Sequence, residues 1–181
     1  RRTLLERREA VSRVRDGAIP DNPYDDTPGP DGLRGSTVRE GVVRFDKHLE
    51  PSFRLVIKHP SCFTALLDVL TERFRCLAIV RNPLAILLSW QTTRANWNDG
   101  RQPAAEAFDP GLQAALEAEP DVLGRQLLML HWIFSAYARH PPADAVIRYE
   151  DMVSSGGAAL VAVDPAAARL AEPLVERNAS A

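Results

Sequence analysis

The segment Arg75-Cys76-Leu77-Ala78-Ile79-Val80-Arg81-Asn82-Pro83-Leu84-Ala85-Ile86-Leu87-Leu88-Ser89 decides how this chain is read. Leu77 to Val80 is a short apolar run, too short for a helix and suited to a strand buried on both faces. Pro83 has no N–H to lose in a first helical turn, so a helix is expected to begin there and run to about Arg94. Arg81 then stands at the carboxyl end of a strand, where open parallel sheets bind their ligands. A guanidinium there can grip a phosphate through two parallel hydrogen bonds, and Ser89, two helical turns on, can add a hydroxyl. The same two residues also suit a surface arginine paired with a carboxylate and a serine that packs a helix.

Two more segments repeat the theme. Phe53 to Lys58 reads as a strand that delivers Lys58 and His59, followed by Pro60. Val146-Ile147-Arg148-Tyr149-Glu150-Asp151-Met152 reads as another, ending in Tyr-Glu-Asp, with Ala145 to Tyr149 in the strand. Between the strands lie helical patterns. Ser61 is placed to cap a helix running to about Phe74, with Phe63, Leu66, Leu67 and Leu70 on one face. Helices are expected over Pro110 to Ala118 and Pro120 to Arg139, the second buried through Leu127, Leu128, Leu130, Ile133, Phe134 and Tyr137. Alternating strands and helices predict an α/β chain with a parallel sheet flanked by helices on both faces.

The flanks are less regular. Leu4, Leu5, Val11 and Val14 predict a helix over Arg1 to Arg15, closed by Gly17. Residues 19–36 are rich in proline and glycine and read as a loop, or a flexible lid or insertion. Ser36 can cap a helix from Thr37 to about Leu49. Asn96 to Pro110 reads as a long polar loop near the site, and short helices from about Ser155 and Pro165 close the chain.

The 181 residues suffice for one domain with a core, so residues 1–181 are taken as a single domain. A net charge of −2 argues against the basic field that nucleic acid attracts. No apolar run approaches a membrane span, and no signal peptide is visible. Cys62 and Cys76 have no metal-ligand spacing and read as small apolar residues, which suits a reducing cytoplasm. Lys47 and Lys58 are the only lysines, which makes a lysine at a strand end notable.

The order strand-Lys-His-Pro, strand-Arg-Asn-Pro with Ser eight residues on, a long helix with Trp132, and strand-Tyr-Glu-Asp-Met resembles the sulfotransferases that use 3′-phosphoadenosine 5′-phosphosulfate (PAPS). The resemblance covers about Phe53 to Leu160. It implies a three-layer, P-loop-kinase-like sulfotransferase fold and sulfuryl transfer from PAPS to a hydroxyl or amine of a small-molecule or carbohydrate acceptor. It implies Arg81 and Ser89 on the 3′-phosphate of the donor, Tyr149 near the adenine, and Trp132 beneath the site. Lys58 would neutralise the leaving phosphate and His59 would serve as general base, with no metal. Related families carry Lys-x-Pro without a base histidine, and His59 equally suits a helix cap. Glu150 and Asp151 suit local backbone capping.

The pattern departs from that family in two places. No strand with a Ser-Gly-Thr-Thr type loop is present; Gly32-Leu33-Arg34-Gly35-Ser36-Thr37 follows prolines and acids rather than a strand. The Arg-Lys-Gly segment that often binds the 3′-phosphate is missing too. The expectation is an N-terminally incomplete chain, weak or inactive alone, whose phosphosulfate loop precedes Arg1. The competing expectations are a non-catalytic scaffold of the same fold and a P-loop-class small-molecule kinase, though the Gly-Lys-Ser/Thr loop of a kinase is lacking. Acceptor contacts would come from Asp21 to Ser36 and Asn96 to Phe108.

Overall fold

Asp16 and Gly17 both have positive φ, 52° and 79°, as the central residues of a type I′ turn require. Arg15 and Ala18 exchange backbone hydrogen bonds of 2.9 and 3.0 Å across it. The computed structural model describes residues 2–20, 22–169 and 173–174, and its secondary structure is mixed α/β. The chain divides into two compact units, Arg1–Lys58 with Trp90–Ala95, and His59–Ser89 with Asn96–Ala181.

The first unit departs from the helices expected of it. Helix α1 covers only Arg2–Arg7, and strand β1 (Glu9–Val14) follows. Arg8, at φ 54°, closes α1 in the left-handed region through a bond from its N–H to the Leu4 carbonyl. The helix expected from Thr37 is strand β2 (Arg39–Arg44), antiparallel to β1 from Glu9↔Arg44 to Val14↔Arg39. The spacing of Val11 and Val14 fits a helix, but Ala10, Ser12 and Val14 also alternate onto one sheet face. The pair Val42-Val43 beside Gly41 favours strand over helix. Gly41 is needed there, because a Cβ would lie 2.5 Å from Val14 Cγ2.

The proline- and glycine-rich segment is a loop without helix or named strand among its described residues, position 21 lying outside them. Tyr24 and Ser36 bridge it in antiparallel fashion, with Asp25 N–H to Gly35 O and Thr37 N–H to Pro23 O both 2.9 Å. Arg15 Nη2 donates to the Asn22 carbonyl (3.0 Å), the Tyr24 carbonyl and Thr37 Oγ1. Arg34 N–H donates to the Thr92 carbonyl, Arg94 N–H returns a bond to the Arg34 carbonyl, and Arg94 pairs with Asp31. Residues 53–58, expected as a strand, carry no assigned secondary structure and belong to no ladder, and Val56 is 87% exposed.

The second unit follows the sequence more closely. Helices α2 (Pro60–Ala65) and α3 (Leu67–Thr71) form one run bent at Leu66. Strand β3 (Ala78–Val80) leads into α4 (Pro83–Trp90). The expected loop is in fact a 3₁₀ turn at Asn96–Asp99 and helix α5 (Pro103–Glu106). Helices α6 (Pro110–Ala118) and α7 (Val122–Arg139) precede β4 (Val146–Arg148) and α8 (Tyr149–Ser154), then 3₁₀ turns at Ala158–Ala162 and Pro165–Arg169. β3 and β4 pair in parallel, Ala78↔Val146 to Val80↔Arg148. Among the described residues the named strands form two two-stranded sheets, so a three-layer sheet is not evident. Ala78 and Ile147 are buried while Ile79 is 54% exposed, so β3 is open on one side instead of buried on both faces.

The core of this unit gathers on α7, where Gln126, Met129, Leu130 and Ala136 are buried, with Leu112 and Leu116 of α6. Leu127, expected inside, is 51% exposed. Gln126 is fully buried because its Nε2 donates to the carbonyls of Trp97 (2.9 Å) and Asn98 (3.2 Å), which answers the cost of burying an amide. Arg125 clamps the carbonyls of Asp99, Glu119 and Pro120. Cys62 and Cys76 are both free thiols, and partial burial pushes the Cys76 thiol up. Among the described residues no helix is long and apolar enough to cross a membrane.

Gly100 sits at φ 69° with its missing Cβ 2.6 Å from Arg125 Cβ, so substitution meets both strain and a clash. Gly100→Ala is expected to lower unfolding free energy by about 2–4 kcal/mol in urea titration. Gly124→Ala, whose Cβ would meet only the movable Glu119 side chain, should stay within about 1 kcal/mol of wild type, since helix propensity offsets the shift.

Candidate functional site at the carboxyl ends of β3 and β4

Parallel pairing brings two distant turns together. The last ladder pair is Val80↔Arg148, so the next residues on each strand, Arg81 and Tyr149, are neighbours. Arg81 Cζ lies over the Tyr149 ring, 4.9 Å from its centre. A cation held over an aromatic face is fixed in place there, and a guanidinium so held can offer N–H donors to a planar or tetrahedral oxyanion. One residue further, the Asn82 N–H donates to Glu150 Oε1 at 2.7 Å. Asn82 Oδ1 accepts from the Leu84 N–H at 2.9 Å, and Pro83 occupies the first helical position, so α4 starts where its sequence predicts.

The charges at this end are mixed. The Asn82 N–H and Glu150's own backbone N–H hold the Glu150 carboxyl below its ordinary range, with the charges of Arg148 and Arg81 adding to them against desolvation. Arg148 and Asp151 approach to 3.9 Å on the exposed side. Two of the backbone donors at the start of α4 are thus already satisfied by side chains. A phosphate here would be met mainly by side chains.

Ser89 lies on α4 seven residues after Asn82, which places both on one helix face about 10 Å apart along the axis. It is exposed. The structure therefore joins Arg81 to Tyr149 directly and sets Ser89 further along the face that starts at the Asn82 cap.

Lys58 and His59 stand differently. Lys58 is exposed and closes the first stretch of the first unit; His59 opens the second unit. His59 is the cap of α2, its Nδ1 accepting from the Cys62 N–H at 3.3 Å, and its ring is tilted 46° to that of Phe63. This is the capping role that the sequence permits. A neutral imidazole that accepts at Nδ1 carries its proton on Nε2. Ser61, the expected cap, is instead in the first turn, where its Oγ donates to Gln102 Oε1. Proline at the first helical position moves the cap to the residue before it.

Trp132 is tied elsewhere. Its Nε1–H donates to Asp109 Oδ2 at 2.7 Å, while Asp109 Oδ1 caps α6 through the Leu112 N–H at 2.9 Å. It locks α6 against α7. Glu150 is the residue whose part the sequence understates: Tyr-Glu-Asp suggests capping, but the N–H it accepts belongs to the other strand's turn, 68 residues away. No protein-family model, curated protein or solved structure matches this chain.

His59→Ala should cost about 1 kcal/mol in chemical denaturation, and His59→Asn, which restores a capping acceptor, only a few tenths. For Glu150 the sign follows from a folded pKa below the unfolded one. Its stabilisation is complete above the unfolded value of about 4.3 and is lost as pH falls through the lower folded value. The Tm difference between wild type and Glu150→Gln should be constant from pH 7 to about 5 and shrink below about 4. A difference that stays constant into the acid range would show that the charge of Glu150 is not what clamps the turn.

Proposed function

We propose that this chain binds PAPS at the turn formed by Arg81, Asn82 and Tyr149 and takes part in sulfuryl transfer to a hydroxyl or amine acceptor. The observation that carries this reading is the Arg81 guanidinium carbon lying over the Tyr149 ring beyond the carboxyl ends of two parallel strands. Arg81 offers its N–H edge to the 3′-phosphate, Ser89 adds a hydroxyl from α4, and Tyr149 is the platform beneath the guanidinium. In the same proposal β3 and β4 are two strands of a three-layer sulfotransferase sheet, and the acceptor is a small molecule or carbohydrate met in the cytoplasm.

The chemistry is an in-line displacement. The acceptor oxygen bonds to sulfur as the sulfur–oxygen bond to the donor's 5′-phosphate breaks, and 3′-phosphoadenosine 5′-phosphate leaves with the bonding pair. Lys58 offsets charge on the leaving phosphate. The acceptor proton passes to His59 Nε2, which requires Nδ1 to hold a proton and release the Cys62 cap. That exchange costs about 1 kcal/mol, a tolerable fraction of a catalytic barrier.

One observation favours a scaffold without catalysis. His59 already uses Nδ1 in the cap, and the Asn82 and Leu84 N–H groups are spent on side chains. Ligand binding separates the readings. Saturating 3′-phosphoadenosine 5′-phosphate should raise the Tm, the stabilisation reaching about 2.7 kcal/mol at a hundredfold excess over Kd. Arg81→Ala should remove the shift; Tyr149→Phe should keep it and Tyr149→Ala reduce it, because the ring and not its hydroxyl supports the guanidinium. No shift with a folded wild-type chain favours the scaffold, and a shift with ATP and Mg²⁺ alone favours a kinase.

A further inference from the structure

The β1–β2 ribbon has a second face that nothing in the proposed function uses. Its register places Glu9, Val11 and Arg13 of β1 beside Arg44, Val42 and Glu40 of β2 on one side. The opposite side carries Ala10, Ser12 and Val14 beside Val43, Gly41 and Arg39, and Val14 and Val43 are buried. The first side is therefore the outward one. The outer face of a two-stranded antiparallel ribbon is ordinarily polar, yet its centre here is Val11, 67% exposed, paired with Val42, 56% exposed.

The charges around that apolar centre form a pattern. Glu9 pairs with Arg44 at 2.8 Å on one side of it, and Arg13 stands opposite Glu40 on the other. Two glutamates thus occupy one diagonal and two arginines the other, so the face has no net charge. A surface of one sign, such as nucleic acid or an anionic membrane, gains nothing from it. A copy of the same face gains at every position. Rotation by a two-fold axis midway between the two faces and parallel to the strands sets Glu9 over Arg44, Arg13 over Glu40 and Val11 over Val42. Such an interface is isologous, the commonest form for homodimers.

We propose that this face is a self-association surface, on which a second copy of this chain stacks ribbon against ribbon around a two-fold axis. Six residues per copy make a small interface, so association is weak and reversible, with a Kd on the order of 100 µM. The valines exclude water at the centre, and the four cross-copy ion pairs fix register and reject partners of other charge pattern.

Sedimentation velocity on the full 181-residue chain, from about 10 µM to about 1 mM, tests this across the expected Kd. A monomer–dimer equilibrium is expected, with Kd rising several-fold in 1 M salt, where the screening length falls to about 3 Å. Arg13→Glu should raise Kd at least about tenfold by facing glutamate with glutamate. Val42→Thr, which keeps β-branching and so leaves the ribbon intact, should raise it several-fold; far-UV circular dichroism checks that both variants fold. A chain that stays monomeric to about 1 mM overturns the proposal, as does a dimer whose Kd neither substitution changes.

Discussion

The parallel pairing of Ala78–Val80 with Val146–Arg148 is the constraint on which the second unit depends. Parallel strands cannot be joined by a tight turn, so the chain must travel through α4 to α7 before β4 can return beside β3. The pairing then places two turns, 68 residues apart, within hydrogen-bonding distance. Arg81 over Tyr149 and the Asn82 N–H on Glu150 both follow from that register. A slip of one residue would turn Tyr149 to the other face and part both contacts.

Polar side chains do much of the organising work around this pairing. Gln126, Arg125 and Asp109 each hold backbone groups of a neighbouring segment. Glu106 is buried against Arg101 and also accepts the Gln102 N–H. The Arg101 hydrogen bond and charge and the Gln102 N–H outweigh burial, which by itself would raise the Glu106 carboxyl; its pKa is lowered. These contacts explain how a segment with little apolar content, Asn96 to Asp109, is held against α7. The first unit follows the same logic with fewer buried apolar side chains, Arg15 binding the proline-rich arm through two carbonyls and a hydroxyl.

The proposed ligand site and the proposed self-association face differ in their physics. The strand-end turn holds a half-buried guanidinium over an aromatic ring, a device suited to a small anion. The outer ribbon face exposes two valines within a neutral, alternating set of charges, a device suited to a flat partner of the same pattern. The first depends on geometry set by a non-local parallel ladder, the second on the local antiparallel register of Glu9 to Arg44.

Local chemistry settled several elements in advance. Proline at position 83 with asparagine before it marks the start of α4. Pro110 after Asp109 marks α6, and the run from Leu128 to Tyr137 marks α7, because caps and fixed φ act within a few residues. The Asp16-Gly17 pair carries a hairpin-turn signal of the same local kind, one that the helix reading of Leu4, Leu5, Val11 and Val14 took for a helix end. What could not be read locally is which apolar alternation would find a partner. Ala10 to Val14 pairs with Val42 and Val43, while Leu55 to Ile57, richer in strand formers, joins no ladder. Tertiary structure also decided that Glu150 serves the opposite turn. A side chain's partner across 68 residues is fixed by which strands lie side by side, and spacing along the chain carries no record of that.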